Sequence, residues 1–166
     1  MEEDYIYIGK IVNTHGIKGE LRLLSNFKYK ERVFLENRKI YIGEDYKEEI
    51  INSYRHHKIF EMITLKGYNN INQVLKYLNK NVYVKKNDLS LKKEEFLDQD
   101  LINLNIIFNE KEVGRVLAIK EVGNNNKIIE ALINNKKTLI PYHKDFIKKI
   151  DVENNIIELN LIEGMI

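Results

Sequence analysis

The chain of 166 residues contains no cysteine, one proline and only 8 glycines. Without cysteine there is no disulfide, no thiolate metal ligand and no thiol nucleophile, a composition that fits a reducing compartment. No apolar run approaches the roughly 20 residues that a membrane-spanning helix needs. The opening MEEDYIYIGK is acidic where a secretory signal is basic. A cytoplasmic protein with no membrane partner is therefore expected. What is present is globular in character: 43% hydrophobic and 31% charged residues, enough apolar side chain to build one core or two small ones.

Net charge is only +2, too mild to announce nucleic acid by itself. The distribution is more informative. Residues 1–88 hold 16 Lys and Arg against 12 Asp and Glu, a balance of +4, whereas residues 89–166 hold 11 against 13, a balance of −2. A basic half beside a slightly acidic half suits partners of opposite sign, RNA for the first and a basic protein for the second.

Alternating apolar and polar residues mark half-buried antiparallel strands at YIYIGKIV (5–12), ELRLL (20–24), EEIINSYR (48–55), IFEMITL (59–65) and NVYVK (81–85). Tyr5, Tyr7 and Tyr83 lie within this alternation and are expected to be mostly buried. One helix interrupts the strands: in NNINQVLKYLNK, Ile71, Val74, Leu75 and Leu78 share a helical face, and Asn69 or Asn70 can cap it. The polar NDLSLKKEEFLDQD then reads as a connector. Beyond it come LNIIF, EVGRVLAIKEV, KIIEALIN, KTLIP, KKIDV and NIIELNLI, separated by the turns NEK, GNNN, NN and ENN, where Asn supplies left-handed backbone. Pro141 closes the TLIP strand, and YHKDFIKK reads as one helical turn. The fold class expected is mainly β: two small antiparallel β-barrel domains, 1–88 and 99–166, joined by a short linker at 89–98, with one short helix in the N-terminal domain.

Candidate sites are few. In VNTHGIKGE, Gly16 and Gly19 surround an Ile-Lys pair behind His15. A G-x-x-G loop clamps nucleic-acid backbone in KH domains, but there it joins two helices, and here it joins two strands. No dinucleotide or P-loop motif opens a helix either. The glycines fit a positive-φ hairpin, and Lys18 and Arg22 near it serve either a solvated rim or phosphate contact. The basic RHHK, Arg55 to Lys58, falls between two strands and is expected at a hairpin tip facing RNA or solvent. Adjacent strand histidines point to opposite faces, which disfavours a shared metal. His143, beside Tyr142 and Asp145, lacks a nucleophile or paired carboxylate and reads as surface polar. No enzyme constellation emerges.

YIGKIVNTHGIKGELRLLS closely resembles the opening of the ribosome maturation factor RimM family, with its I-G-x-I-x-x-x-H-G-x-x-G-E stretch. HHKIFEMITLKGYNNINQVLKYLNKNVYVKKNDL resembles the rest of that family's N-terminal domain. DLINLNIIFNEKEVGRVLAIKEVGNNN and TLIPYHKDFIKKIDVENNIIELNLIEGMI resemble its C-terminal PRC-barrel domain. The resemblance implies a non-catalytic factor without cofactor, metal or small-molecule substrate. It implies a monomer that binds the immature 30S small ribosomal subunit through ribosomal protein S-nineteen and assists 16S rRNA processing and maturation of the head domain. His15, Gly16, Lys18, Gly19, Arg22, Arg55 and Lys58 are then candidates for RNA or ribosome binding. The family's Tyr-Tyr pair, tied to ribosomal-protein association, is replaced here by Phe96 and Leu97, and Asn103 stands for a glycine. An apolar docking role at the linker, packing the two barrels together, is carried over to Phe96 and Leu97 without the hydroxyl contact. The residues also fit an alternative, a general RNA-binding β-barrel module of the translation apparatus.

Overall fold

The computed structural model describes residues 4–123, 126–162 and 164, with 51% strand and 12% helix. By contacts the chain divides into two compact units, Met1–Ser90 and Leu91–Ile166. Among the described residues no helix is long and apolar enough to cross a membrane.

The first unit contains β1 (Tyr5–His15), β2 (Glu20–Leu24), α1 (Lys30–Val33), β3 (Lys39–Ile42), β4 (Lys47–His57), β5 (Phe60–Leu65), α2 (Ile71–Val74) and β6 (Asn81–Lys85). Its sheet is a closed barrel in the order β1-β2-β5-β4-β3-β6, in which the long β1 pairs with β2 along one edge and with β6 along the other. Period-two alternation drives Ile6, Ile8, Leu21, Leu23, Ile40, Ile63, Val82 and Val84 inward, each at most 7% exposed. The four-residue β3 has no sequence counterpart in the expectation above, because so short an apolar stretch carries too little alternation to stand out.

The expected helix forms with Asn70 as its cap, its Oδ1 accepting from Asn72 N at 2.8 Å. It continues as a 3-10 turn over Leu75–Tyr77. Tightening to three residues per turn changes which side chains face the core. Val74 and Tyr77 are buried, and Leu75, expected inside, is 45% exposed. Tyr77 and Tyr68 both donate their hydroxyls to the buried Glu49, Tyr68 at 2.5 Å. A second buried acid, Glu61, accepts from the Tyr54 hydroxyl at 2.9 Å. Both carboxylates thus keep hydrogen-bond partners in place of the water they have lost.

The second unit is a six-stranded sheet: β7 (Asn105–Phe108), β8 (Lys111–Val122), β9 (Asn126–Ile133), β10 (Lys136–Pro141), β11 (Ile147–Asp151) and β12 (Ile156–Leu159), in the order β10-β9-β8-β7-β12-β11. Its pairs are antiparallel except β12 with β7, which run parallel. Pro141 lies in the edge strand β10, where its missing N–H breaks no central ladder. Asn109, Asn134, Asn135 and Asn155 have positive φ in the turns, as expected. The GNNN turn lies partly outside the described residues. YHKDFIKK forms a single hydrogen-bonded turn, with Ile147 N donating to His143 O at 3.1 Å, before β11 takes over at Ile147.

Leu101, Leu104, Ile106, Val116, Ile129, Ala131, Ile133 and Ile157 form the core of this unit. Gly114 on β8 allows β9 to approach closely: a Cβ there would stand 1.7 Å from the Leu132 carbonyl oxygen. Gly114→Ala should therefore cost about 3 kcal/mol or more, since backbone rather than a flexible side chain must yield. Hydrogen exchange should show protection lost across 91–166 and kept in the first barrel.

Candidate nucleic-acid interface

Cross-strand register brings His15, Arg22 and Arg55 onto one outer face of the first barrel. His15 pairs with Glu20 and Asn13 with Arg22 across β1 and β2; Arg22 pairs with Met62 across β2 and β5; Arg55 pairs with Met62 and His57 with Phe60 across β4 and β5. Direct partners share a face, so His15, Glu20, Arg22, Phe60, Met62, Arg55 and His57 form one patch. Met62, directly opposite both Arg22 and Arg55 in register, is fully buried.

The charges on this face are not equivalent. Arg55 Nε and Nη2 donate to the two oxygens of Glu20 at 2.9 and 2.7 Å, a bidentate pair. That pair holds the Glu20 carboxyl below its ordinary range, chiefly through the hydrogen bond from Arg55, and raises Arg55 in turn. Arg22 is engaged differently. Its Nη2 lies 2.6 Å from His15 Nδ1, and its guanidinium stands 5.5 Å from the Phe60 ring centroid. A guanidinium has no acceptor, so His15 Nδ1 accepts in this contact. Arg55 is thus largely neutralised by Glu20, and Arg22 and the exposed Lys18 remain the cations presented to an anion.

The loop that prompted the RNA reading is built by its glycines. Gly16 and Gly19 have φ of 77° and 91°. A Cβ on Gly19 would come within 3.1 Å of Asn70 O, because the loop packs on the start of α2, where Ile71 N donates to Ile17 O at 2.8 Å. Gly19 is thus required by both conformation and space, and Gly16 by conformation alone. Lys18 is held in an exposed turn over a buried support.

One expectation is corrected. RHHK is not a tip: Arg55, His56 and His57 belong to β4, and only Lys58, at φ 56°, turns the chain. Continued strand alternation explains this, sending His56 to the opposite face, where its Nδ1 lies 2.7 Å from Glu61 Oε2. Beside it, burial and the Glu61 hydrogen bond push the Tyr54 hydroxyl up to about 12. Lys58 also stands apart from the loop, since the antiparallel register puts the 16–19 loop and the 58–59 tip at opposite ends of β2. Phe96 and Leu97 lie at the start of the second unit. Leu97 is 5% exposed and leads into a 3-10 turn over Asp98–Leu101, its N–H donating to Asp100 Oδ2 at 2.9 Å. Phe96 is half-buried against the core of its own unit. Apolar side chains preceding such a turn gain more by burial than by standing in an open linker, so docking surface is limited to what Phe96 leaves uncovered.

His57, Phe60 and Glu20 were missed as members of the face, although period-two spacing from Arg55 and Arg22 signals His57 and Glu20. His143 sits in the surface turn before β11, its Nδ1 accepting from Asp145 N at 3.1 Å. Among the described residues no group of three or more His, Asp or Glu is arranged to hold a metal ion.

A closed six-stranded barrel with a cation-bearing outer face, followed by a separate β unit, defines a two-domain β protein. Residues 6–89 match the RimM N-terminal domain and residues 98–165 match the RimM PRC barrel domain. The chain belongs to the RimM family of ribosome maturation factors. It is 35% identical to the ribosome maturation factor RimM of Staphylococcus haemolyticus, over 97% of this chain and 98% of that protein. It is 37% identical to that of Staphylococcus saprophyticus, over 97% and 98%. A crystal structure of a 16S ribosomal RNA processing protein RimM from Pseudomonas aeruginosa aligns over 96% of this chain and 98% of that one, at 18% identity and a TM-score of 0.43.

The Glu20–Arg55 pair sets a pH dependence. Because the folded Glu20 carboxyl is depressed below its unfolded value, its contribution is present above the unfolded value and lost as pH falls through the folded one. Between about pH 5 and the lowered folded value, the native chain should lose more stability than Arg55→Gln. Parallel slopes in urea titrations over that window would remove the assignment.

Proposed function

We propose that this chain is a non-catalytic assembly factor that binds the immature 30S small ribosomal subunit through ribosomal protein S-nineteen and assists 16S rRNA processing and maturation of the head domain. The observation that carries the reading is the pair of family matches, in order, together spanning nearly the whole chain. The work is done by binding energy: the two domains, 1–88 and 99–166 about a linker at 89–98, favour one arrangement of the unfinished head. The basic face of the first unit suits rRNA phosphates, with Lys18 and Arg22 as the principal cations, His15 orienting Arg22, Gly16 and Gly19 shaping the loop, and Arg55 and Lys58 at its margins. The slightly acidic second unit, with the uncovered part of Phe96, suits a basic ribosomal protein, and the chain acts as a cytoplasmic monomer.

Lys18→Ala combined with Arg22→Gln should weaken cosedimentation with immature subunits about tenfold and flatten its salt dependence, leaving the melting temperature nearly unchanged. Undiminished cosedimentation would contradict the assignment of these cations. Ribosomal protein S-nineteen should be retained by immobilised chain and should stay bound to the same double variant. Comparable affinity for any structured RNA, without preference for immature subunits, would instead favour a general RNA-binding module.

A further inference from the structure

The opposite outer face of the first barrel, carried by β1, β6 and β3, has a different composition. Register pairs Tyr5 with Lys85, Tyr7 with Tyr83 and Lys10 with Asn81, and Tyr41 with Tyr83. Lys39 shares the face of Tyr41, two residues away, while Ile6, Ile8, Val82 and Val84 fill the interior. The eight outward positions so defined are four tyrosines, three lysines and one asparagine, with no acid. Of Tyr5, Tyr7 and Tyr83, expected to be mostly buried, Tyr7 is 52% exposed, because Ile6 and Ile8 occupy the inward positions beside it.

A fifth tyrosine joins them from the turn between β3 and β4. The Tyr46 ring stacks on Tyr5 with centroids 4.0 Å apart and planes at 8°, and meets Tyr83 edge-on at 5.0 Å. Tyr7 meets Tyr83 edge-on at 6.0 Å, and Tyr5 meets Tyr41 at 5.2 Å. Tyr41 forms the floor at 4% exposure, with Lys85 Nζ 5.0 Å from its ring centroid, while Tyr7 and Tyr46 stand at 52% and 38% exposure. Tyr46 holds φ of 50°, a left-handed conformation that bulky residues seldom adopt, and its N–H donates to Gly43 O at 3.1 Å. A strained turn thus sets an aromatic ring at the outer end of a stack.

We propose that this face is a stacking platform for unpaired ribonucleotides. Aromatic rings with open area take any base, because every base has a π face, and Lys10, Lys39 and Lys85 supply the cations that follow a phosphate backbone. A protein partner fits less well, since the cores of protein interfaces favour Tyr with Arg and are depleted in Lys. Among the described residues, acids border the face at both ends: Glu48, which accepts from the Tyr41 hydroxyl at 3.4 Å, with the exposed Glu44 and Asp45 of the turn, and the exposed Asp4, whose carbonyl accepts from Lys86 N at 2.9 Å. The platform rests on the reading that the chain works on rRNA, and is separate from the Lys18 and Arg22 face.

The test uses the full chain and two probes, a mixed-sequence single-stranded RNA oligonucleotide and its duplex, read by fluorescence anisotropy at low salt. Tyr46→Asn keeps a residue tolerant of positive φ and removes the ring; Tyr7→Ser removes the most exposed ring. Together they should weaken single-strand binding about tenfold or more and leave duplex binding unchanged. Should the double variant fail to fold, Tyr7→Leu, which keeps apolar bulk without a π face, decides alone. Unchanged single-strand affinity in a folded variant, equal loss on the duplex, or absence of single-strand binding by the native chain would overturn the platform. Loss of association with immature subunits at unchanged oligonucleotide affinity would also overturn it, in favour of a protein-facing patch. Tyr7-dependent oligonucleotide binding without cosedimentation with immature subunits would keep the platform and defeat the maturation reading instead.

Discussion

The arrangement of the first unit depends on β1 holding register with two neighbours at once. Its eleven residues carry two irregularities, between Tyr7 and Gly9 against β6 and between Ile11 and Asn13 against β2. Each bulge shifts which parity of residue faces outward. Tyr5 and Tyr7 point out before the first, Lys10 after it, and Asn13 and His15 after the second, while Ile6, Ile8 and Ile11 stay inside throughout. Without the shifts, the middle of the strand would bury Lys10 and expose Ile11. The same feature lets one strand contribute to both outward faces.

Hydrogen-bond satisfaction then separates structural charges from available ones. Glu49 and Glu61 lie buried in the barrel, each accepting tyrosine hydroxyls, and burial with the Glu49 hydrogen bond pushes the Tyr77 hydroxyl far above its ordinary value. Arg55 is drawn into a bidentate pair with Glu20. In the second unit, Lys120 and Lys137 converge on Glu130 at 2.7 and 3.0 Å and lower its carboxyl. Counting basic residues therefore overstates the positive surface. In residues 1–88 the Glu20 pair takes Arg55 out of the available positive charge, and the cations on the two faces differ in company: Arg22 beside a histidine and a phenylalanine, Lys10 and Lys39 beside tyrosines.

Much of this was readable from the chain. β2 and β6 begin and end where the alternation does, the Asn-rich turns adopt the left-handed backbone that Asn tolerates, and the family resemblance carried by the His-Gly loop is matched by both domain models. The misreadings have local causes. The histidine pair looked like a tip because two polar residues end a visible alternation, although the ladder continues through them. Leu75 looked buried because a 3.6-residue period was applied to a segment that tightens to three.

By itself the sequence determined the strands, the turns and the inward residues of each strand, because alternation is a property of every strand alone and survives whatever lies beside it. Only the tertiary structure decided which strands are neighbours. Closure of the barrel inserts β3 between β4 and β6, and this gathers Tyr5, Tyr41, Tyr46 and Tyr83, up to 78 positions apart in sequence, into one stack. Strand order could change without altering the pattern along any single strand, because ladder hydrogen bonds join backbone groups common to nearly all residues. The faces are therefore written in the strands, and their contents are set by the pairing.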